Sequence, residues 1–185
     1  MKGVLKSFLL PSDLYADDVA AIAADCILRH GEQEWRAALL TNEIHGHLGI
    51  YSTIGAKMGI LALEFLRRQG LEGEMRVLSF AGSRPPVSCL NDGLQVSTGA
   101  SMGHGLFAVS PDGEPSVKAR FTVGGSAFEI RLKPECEDTI RADIKKGVEL
   151  YGHAPAYWEY VRSLALKYWQ HWDRTDIFEV TVLPE

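Results

Sequence analysis

No paired cysteines, no long apolar run and no excess of positive charge occur in this sequence of 185 residues, and each absence removes a class of function. Cys26, Cys89 and Cys136 are far apart with no CxxC spacing. That excludes a disulfide framework and suits a reducing compartment, so a cytoplasmic protein is expected. With 19 basic against 24 acidic residues the net charge is −5, which argues against a general nucleic-acid surface while leaving room for a local basic patch. The apolar part of "MKGVLKSFLLPSD" is short, is interrupted by Lys6 and is followed by no small-residue cleavage site. Neither a signal peptide nor a membrane span is expected. There is no Walker A loop, dinucleotide fingerprint, GxSxG or HExxH, and "GGSAFE" is too short and strand-bound for a phosphate loop.

What is present fits a folded domain. At 46% hydrophobic and 23% charged the chain can bury a core, and without repeats or linkers residues 1–185 are expected to form one domain. Ser12 and Asp13 lead into a helix with Asp17 and Asp18 early and Gly31 at its end. Val19, Ile22, Ala23, Cys26 and Ile27 share its apolar face, which makes Cys26 a core thiol. "EQEWRAALLTNEIHG" fits either a short helix or an extended lead-in. From Gly49 to Gln69, Ile50, Ile54, Met58, Leu61 and Phe65 form one helical stripe. Gly55 and Gly59, four apart on it, imply the close approach of another backbone.

Alternation and β-branched residues predict strands at "EMRVLSFA" (74–81), "GLQVST" (93–98), "HGLFAVS" (104–110), "VKARFTV" (117–123) and "SAFEIRL" (126–132). The turn signals "PDGE" and Gly124-Gly125 make the last three an antiparallel meander. Two helices follow, 136–152 and 155–172, then a strand at 176–183. Trp158, Val161, Leu164, Ala165, Tyr168 and Trp172 define the apolar side of the second helix. The order predicts an α+β fold, a central antiparallel or mixed sheet with flanking helices.

Two stretches carry chemistry. In "EIHGHLGIYSTIGAKMG" (43–59), His45 and His47 flank Gly46 just before a helix opening at Gly49. Imidazoles two residues apart in a turn point the same way, so the pair suits one metal ion, an anion at the helix start, or two solvated turn histidines. In "SRPPVSCLNDGLQVSTGASMGHG" (83–105), Cys89 is either a soft ligand or a buried small residue, and Asp92 a functional carboxylate or a turn cap. His104 between two glycines is a further candidate ligand or lies over a ligand pocket. His30, His153 and His171 lie near helix ends and read as structural. Trp158, Trp169 and Trp172 with Tyr160 and Tyr168 line a pocket or an interface, or pack in the core.

Taken in order, His45-Gly46-His47, Gly55 to Gly59, Cys89 with Asp92, Thr98-Gly99 and Gly103 to Gly105 resemble the pattern of the FmdE family, named for a component of formylmethanofuran dehydrogenase, over about residues 40–135. The chain departs from it in three places. Gly49-Ile50-Tyr51 stands for a family Cys-Pro-Gly, Ala100 for a turn cysteine and His104 for a lysine, and the C-terminal zinc ribbon of some members is absent. The resemblance implies an α+β core, an intertwined homodimer and a transition-metal site, zinc before nickel or iron, on His45, His47 and Cys89. Two missing thiols argue against an iron–sulfur or all-thiolate centre. Asp92 is then an orienting carboxylate or a base on an activated water, and His104 a cofactor-binding candidate. Residues 136–185 form a helical, aromatic-rich extension. The readings that follow are a metal-dependent enzyme for a small substrate, a metallocofactor- or haem-binding accessory protein, or an interaction subunit whose histidines only cap a helix.

Overall fold

The computed structural model describes residues 11–111, 113–152 and 154–184; the segment 1–10 considered for a leader, and His153, lie outside them. Three helices come first, α1 (Asp17–His30), α2 (Glu32–His45) and α3 (Ile50–Gln69), closed by Gly31, Gly46 and Gly70. Ser12 and Asp13 belong to a separate 3-10 turn, Ser12–Leu14, and Ala16 takes the cap position of α1. Helix α2 resolves the ambiguous stretch. Its buried face contains Glu34, Thr41 and Asn42 beside Trp35, Ala37 and Ala38, so no apolar stripe marks it in the sequence.

Helix α3 is the centre of the molecule, buried without a break from Ile50 to Ala62. Against it lies α4 (Leu90–Thr98), where the sequence predicted a strand over 93–98. Packing against α3 outweighs the β-prone "QVST". Gly55 of α3 meets the Leu90 carbonyl and Gly93 of α4 meets the Ser52 carbonyl and Ala56 amide, with no room for a Cβ at either glycine. The Ser97 and Thr98 hydroxyls also donate back to the Gly93 and Leu94 carbonyls, at 2.6 Å each. The close approach expected at Gly55 is therefore real, and its partner is the misassigned segment.

The strands are β1 (Arg76–Ser79), β2 (Phe107–Val109), β3 (Lys118–Val123), β4 (Ser126–Leu132) and β5 (Phe178–Val182), in the order β2-β1-β3-β4-β5. β2 runs parallel to β1 and the other pairs are antiparallel. The antiparallel meander is thus β3-β4-β5 rather than β2-β3-β4. The displacement follows from β1 pairing with both β2 and β3, which separates those two. The inward residues Ala119, Phe121, Phe128 and Ile130 are buried, and Phe65 of α3 packs on Phe128 at 4.5 Å between rings. Each such large side chain contributes roughly 1.5–3 kcal/mol.

Helices α5 (Pro134–Tyr151) and α6 (Pro155–His171) pack on one another, and a short α7 (Arg174–Ile177) leads into β5. Trp169 stacks on Trp35 at 4.5 Å and joins α6 to α2. Val161, Leu164, Ala165 and Tyr168 are buried as the spacing predicts. Trp158 is not: it is 59% exposed, because its ring lies over His47 instead of entering the core. The architecture is α+β, a mixed five-stranded sheet with flanking helices. Among the described residues no helix is long and apolar enough to cross a membrane.

Candidate functional site

The two histidines meet because of how α2 ends. Gly46 takes a left-handed conformation (φ 82°) and its N–H bonds the Asn42 and Glu43 carbonyls, a helix stop that suits a residue without Cβ. The reversal brings the His47 ring to 4.4 Å from that of His45. Asn42 then fixes the next turn. Its Oδ1 accepts from the Gly49 N–H at 3.0 Å and the Ser52 hydroxyl at 2.7 Å, and its Nδ2 donates to Thr53 Oγ1 at 3.2 Å. The Gly49 N–H, expected to face the histidines, is therefore taken up by a side chain that no sequence signal singled out.

Helix α4 supplies the other half. Cys89 ends a 3-10 turn, Val87–Cys89, and caps α4, with Asp92 in the first helical turn. His45 donates from Nδ1 to Asp92 Oδ2 at 2.7 Å. That bond sets the tautomer and turns Nε2 the other way, where it is buried and, among the described residues, without a partner. Nε2 faces Gly49, since a Cβ added there would lie 3.2 Å from it. A side chain there would also strike the Ser52 hydroxyl, at 2.6 Å, so glycine is what lets the backbone pass this close to the imidazole.

His45, His47 and Cys89 line one cavity of about 280 Å³, walled by Tyr51, Pro86 and Trp158 among others. Asp92 is bonded to it through His45. His104 is exposed at the end of the 3-10 turn Met102–His104 and is not part of the cavity wall. Gly105 and the Thr98-Gly99 pair act as turn and helix stops. Burial, and then the neighbouring His45, hold the His47 pKa below its usual value. Burial, and then the charge of Asp92, push the Cys89 thiol up. Near neutral pH these shifts favour a neutral imidazole at His47 and a protonated thiol at Cys89.

Among the described residues no group of three or more His, Cys, Asp or Glu side chains stands close enough to hold an ion without moving. The donor types nonetheless fit a borderline-soft cation, with two imidazoles and one thiol on a single wall. The orphaned Nε2 marks where a ligand atom would be received. Cys26 plays no part in this. It is buried in the core, and burial raises its pKa to about 12.

A family model described as "FmdE, Molybdenum formylmethanofuran dehydrogenase operon" matches residues 44–179. The match takes in His45, His47, Cys89 and Asp92. It also runs through α5 and α6, so most of the segment set apart in the sequence as an extension lies within the family pattern. Among curated proteins, none matches the chain.

Proposed function

The chain belongs to the FmdE family, and from that premise we propose that it binds one transition-metal ion, zinc, between His45, His47 and Cys89. The observation that carries this reading is the His45 ring, with Nδ1 held by Asp92 and a buried, partnerless Nε2 facing the cavity. A histidine whose second nitrogen bonds a carboxylate is a stronger and better-aimed ligand. Asp92 is accordingly a positioning residue. Cys89 must lose its proton to ligate, so affinity should rise with pH. Bound there, zinc would supply Lewis acidity to a water or small molecule entering the cavity. The family's description names an operon for a molybdenum enzyme; carried to this chain, it suggests work beside such an enzyme.

Metal analysis of the purified protein tests the reading. One ion per chain is expected in the wild type and none in His45→Ala/His47→Ala. Asp92→Asn should bind metal about 10–100-fold more weakly. Equal metal content in wild type and the double variant would remove the claim. A second reading, a metallocofactor or haem accessory, is favoured by the aromatic lining of the cavity, where Trp158 and Tyr157 meet edge to face. A Soret band in the purified protein would select it, whereas a colourless protein selects zinc.

The homodimer is proposed on the edge of the sheet. Val180 and Val182 lie opposite Ile130 and Phe128 in register, yet are 38% and 67% exposed. The helices leave this end of β5 uncovered, and an open apolar edge strand favours pairing with a second copy. Light scattering should give a dimer for the wild type and a monomer for Val180→Glu/Val182→Glu; dimers of both would exclude this edge.

A further inference from the structure

One face of α6 is not explained by a metal site. Trp158, Arg162 and Trp169 are spaced by four and seven residues, so they share one side of the helix over about 16 Å. Three hollows open along that side. The first, of about 510 Å³, is lined by Trp169 and Arg162 together with Tyr15, Val19, Leu48 and His47. The second, of about 450 Å³, shares Arg162, Leu48 and His47 with the first and adds Trp158. The third is the imidazole cavity, which shares His47 and Trp158 with the second. His47 lines all three hollows and Arg162 the first two, so the hollows lie side by side as one trough.

Its polar groups include two donors with bonding capacity to spare, the Trp169 indole and Arg162, beside the carboxylates of Glu43 and Glu159. The Trp169 indole N–H is buried and, among the described residues, has no partner, a condition that costs stability unless an acceptor is supplied. Arg162 grips Asp18 through Nε at 2.6 Å and Nη2 at 2.7 Å. Among the described residues its Nη1 bonds nothing. Asp18 already offsets one charge and Glu43 stands on the rim of the first hollow, so a polyanion is disfavoured. The apolar remainder, Leu48 and the Trp158 ring, suits hydrocarbon.

We propose that this trough binds an amphipathic organic monoacid, with its carboxylate and one further acceptor oxygen on Arg162 and Trp169 and its apolar body lying along Trp158 toward the imidazole pair. The proposal names the ligand class for the site described above. It rests on that site being a ligand-binding one, but it is carried by atoms that would not touch the metal.

Titration calorimetry with octanoylglycine and its neutral amide, octanoylglycinamide, tests it on zinc-treated and on EDTA-treated protein. These probes share one acyl chain and differ at the terminus, a carboxylate against a neutral amide. In the wild type the acid should bind about tenfold more tightly than the amide, the scale of one charge-assisted hydrogen bond. Arg162→Gln should abolish that preference while leaving metal content unchanged. Trp158→Ala, at an exposed position, should weaken both probes alike. Equal binding of acid and amide by the wild type, an acid preference surviving in Arg162→Gln, or binding of neither probe would each overturn the proposal. Acid preference lost in Arg162→Gln, on protein that takes up no metal even after zinc treatment, would support the trough and count against the metal reading alone.

Discussion

Gly93→Ala should destabilise the protein by about 3 kcal/mol, the upper part of the range for forcing atoms into a packed interior. In a helix the change ordinarily stabilises, since alanine is favoured over glycine by about 1 kcal/mol. Here the added methyl would meet the Ser52 carbonyl and the Ala56 amide of α3, and backbone in a buried helix cannot swing aside. Gly55→Ala, which would meet the Leu90 carbonyl, should come close to it. Gly59→Ala would strike the Ser97 hydroxyl, which can turn, and crowd Ser97 Cβ and the Thr98 methyl rather than backbone carbonyls, so a smaller loss is expected. Gly103→Ala, where the added methyl would come no nearer than 3.9 Å to the Ser101 hydroxyl, serves as the control at about ±0.5 kcal/mol. Urea denaturation midpoints of the four variants give the order, and a Gly93→Ala midpoint matching the control would refute it. The consequence reaches the site, because α4 carries Cys89 and Asp92. Separation of α4 from α3 would take the carboxylate away from His45.

Glu34→Gln is expected to cost about 3–5 kcal/mol, the usual loss when one partner of a buried ion pair is removed. Glu34 and Lys57 are both fully buried, with Lys57 Nζ donating to Glu34 Oε1 at 2.5 Å. Arg174 donates to the other Glu34 oxygen at 2.9 Å and to both oxygens of Glu64 at 3.1 and 2.6 Å. Two cations and two carboxylates thus form a neutral group that ties α2, α3 and α7 together. Desolvation holds the Lys57 pKa down even with Glu34 against it, so losing the carboxylate's charge leaves an ammonium in a site that disfavours it. Lys57→Met should be milder, because Glu34 keeps Arg174. The pair Glu34→Leu/Lys57→Met should recover much of the loss, since apolar residues can replace a buried pair and Arg174 retains Glu64. Thermal melts of the three variants check this; equal melting temperatures for Glu34→Gln and wild type would refute it.

Local patterns in the sequence were sufficient for much of the fold. The stripe on α3, the glycines that end α1 and α3, and the alternation of β3 and β4 each depend on residues within a turn or a strand of one another. Such short-range periodicity survives whatever packs around it. The nearness of the two imidazoles belongs here as well, because Gly46 alone sets the reversal between them. So does the close approach at Gly55, although not the identity of the element that makes it.

Tertiary structure decided what depends on partners distant in the chain. "GLQVST" is a helix because the glycine face of α3 accepts it, a contact that outweighs weak strand propensity. Helix α2 was ambiguous because its buried side is polar, and Glu34, Thr41 and Asn42 make sense only beside Lys57, Arg174 and the α3 entry. In the site, the sequence supplied His45, His47, Cys89 and Asp92 as candidates. The bond from His45 to Asp92 spans 47 positions and could not be read from spacing. The removal of His104 to the surface and the placing of Trp158 over His47 were settled in the same way. Chain-local chemistry determines where a side chain can begin, and the packing of α4 and α6 against α3 determines what it meets.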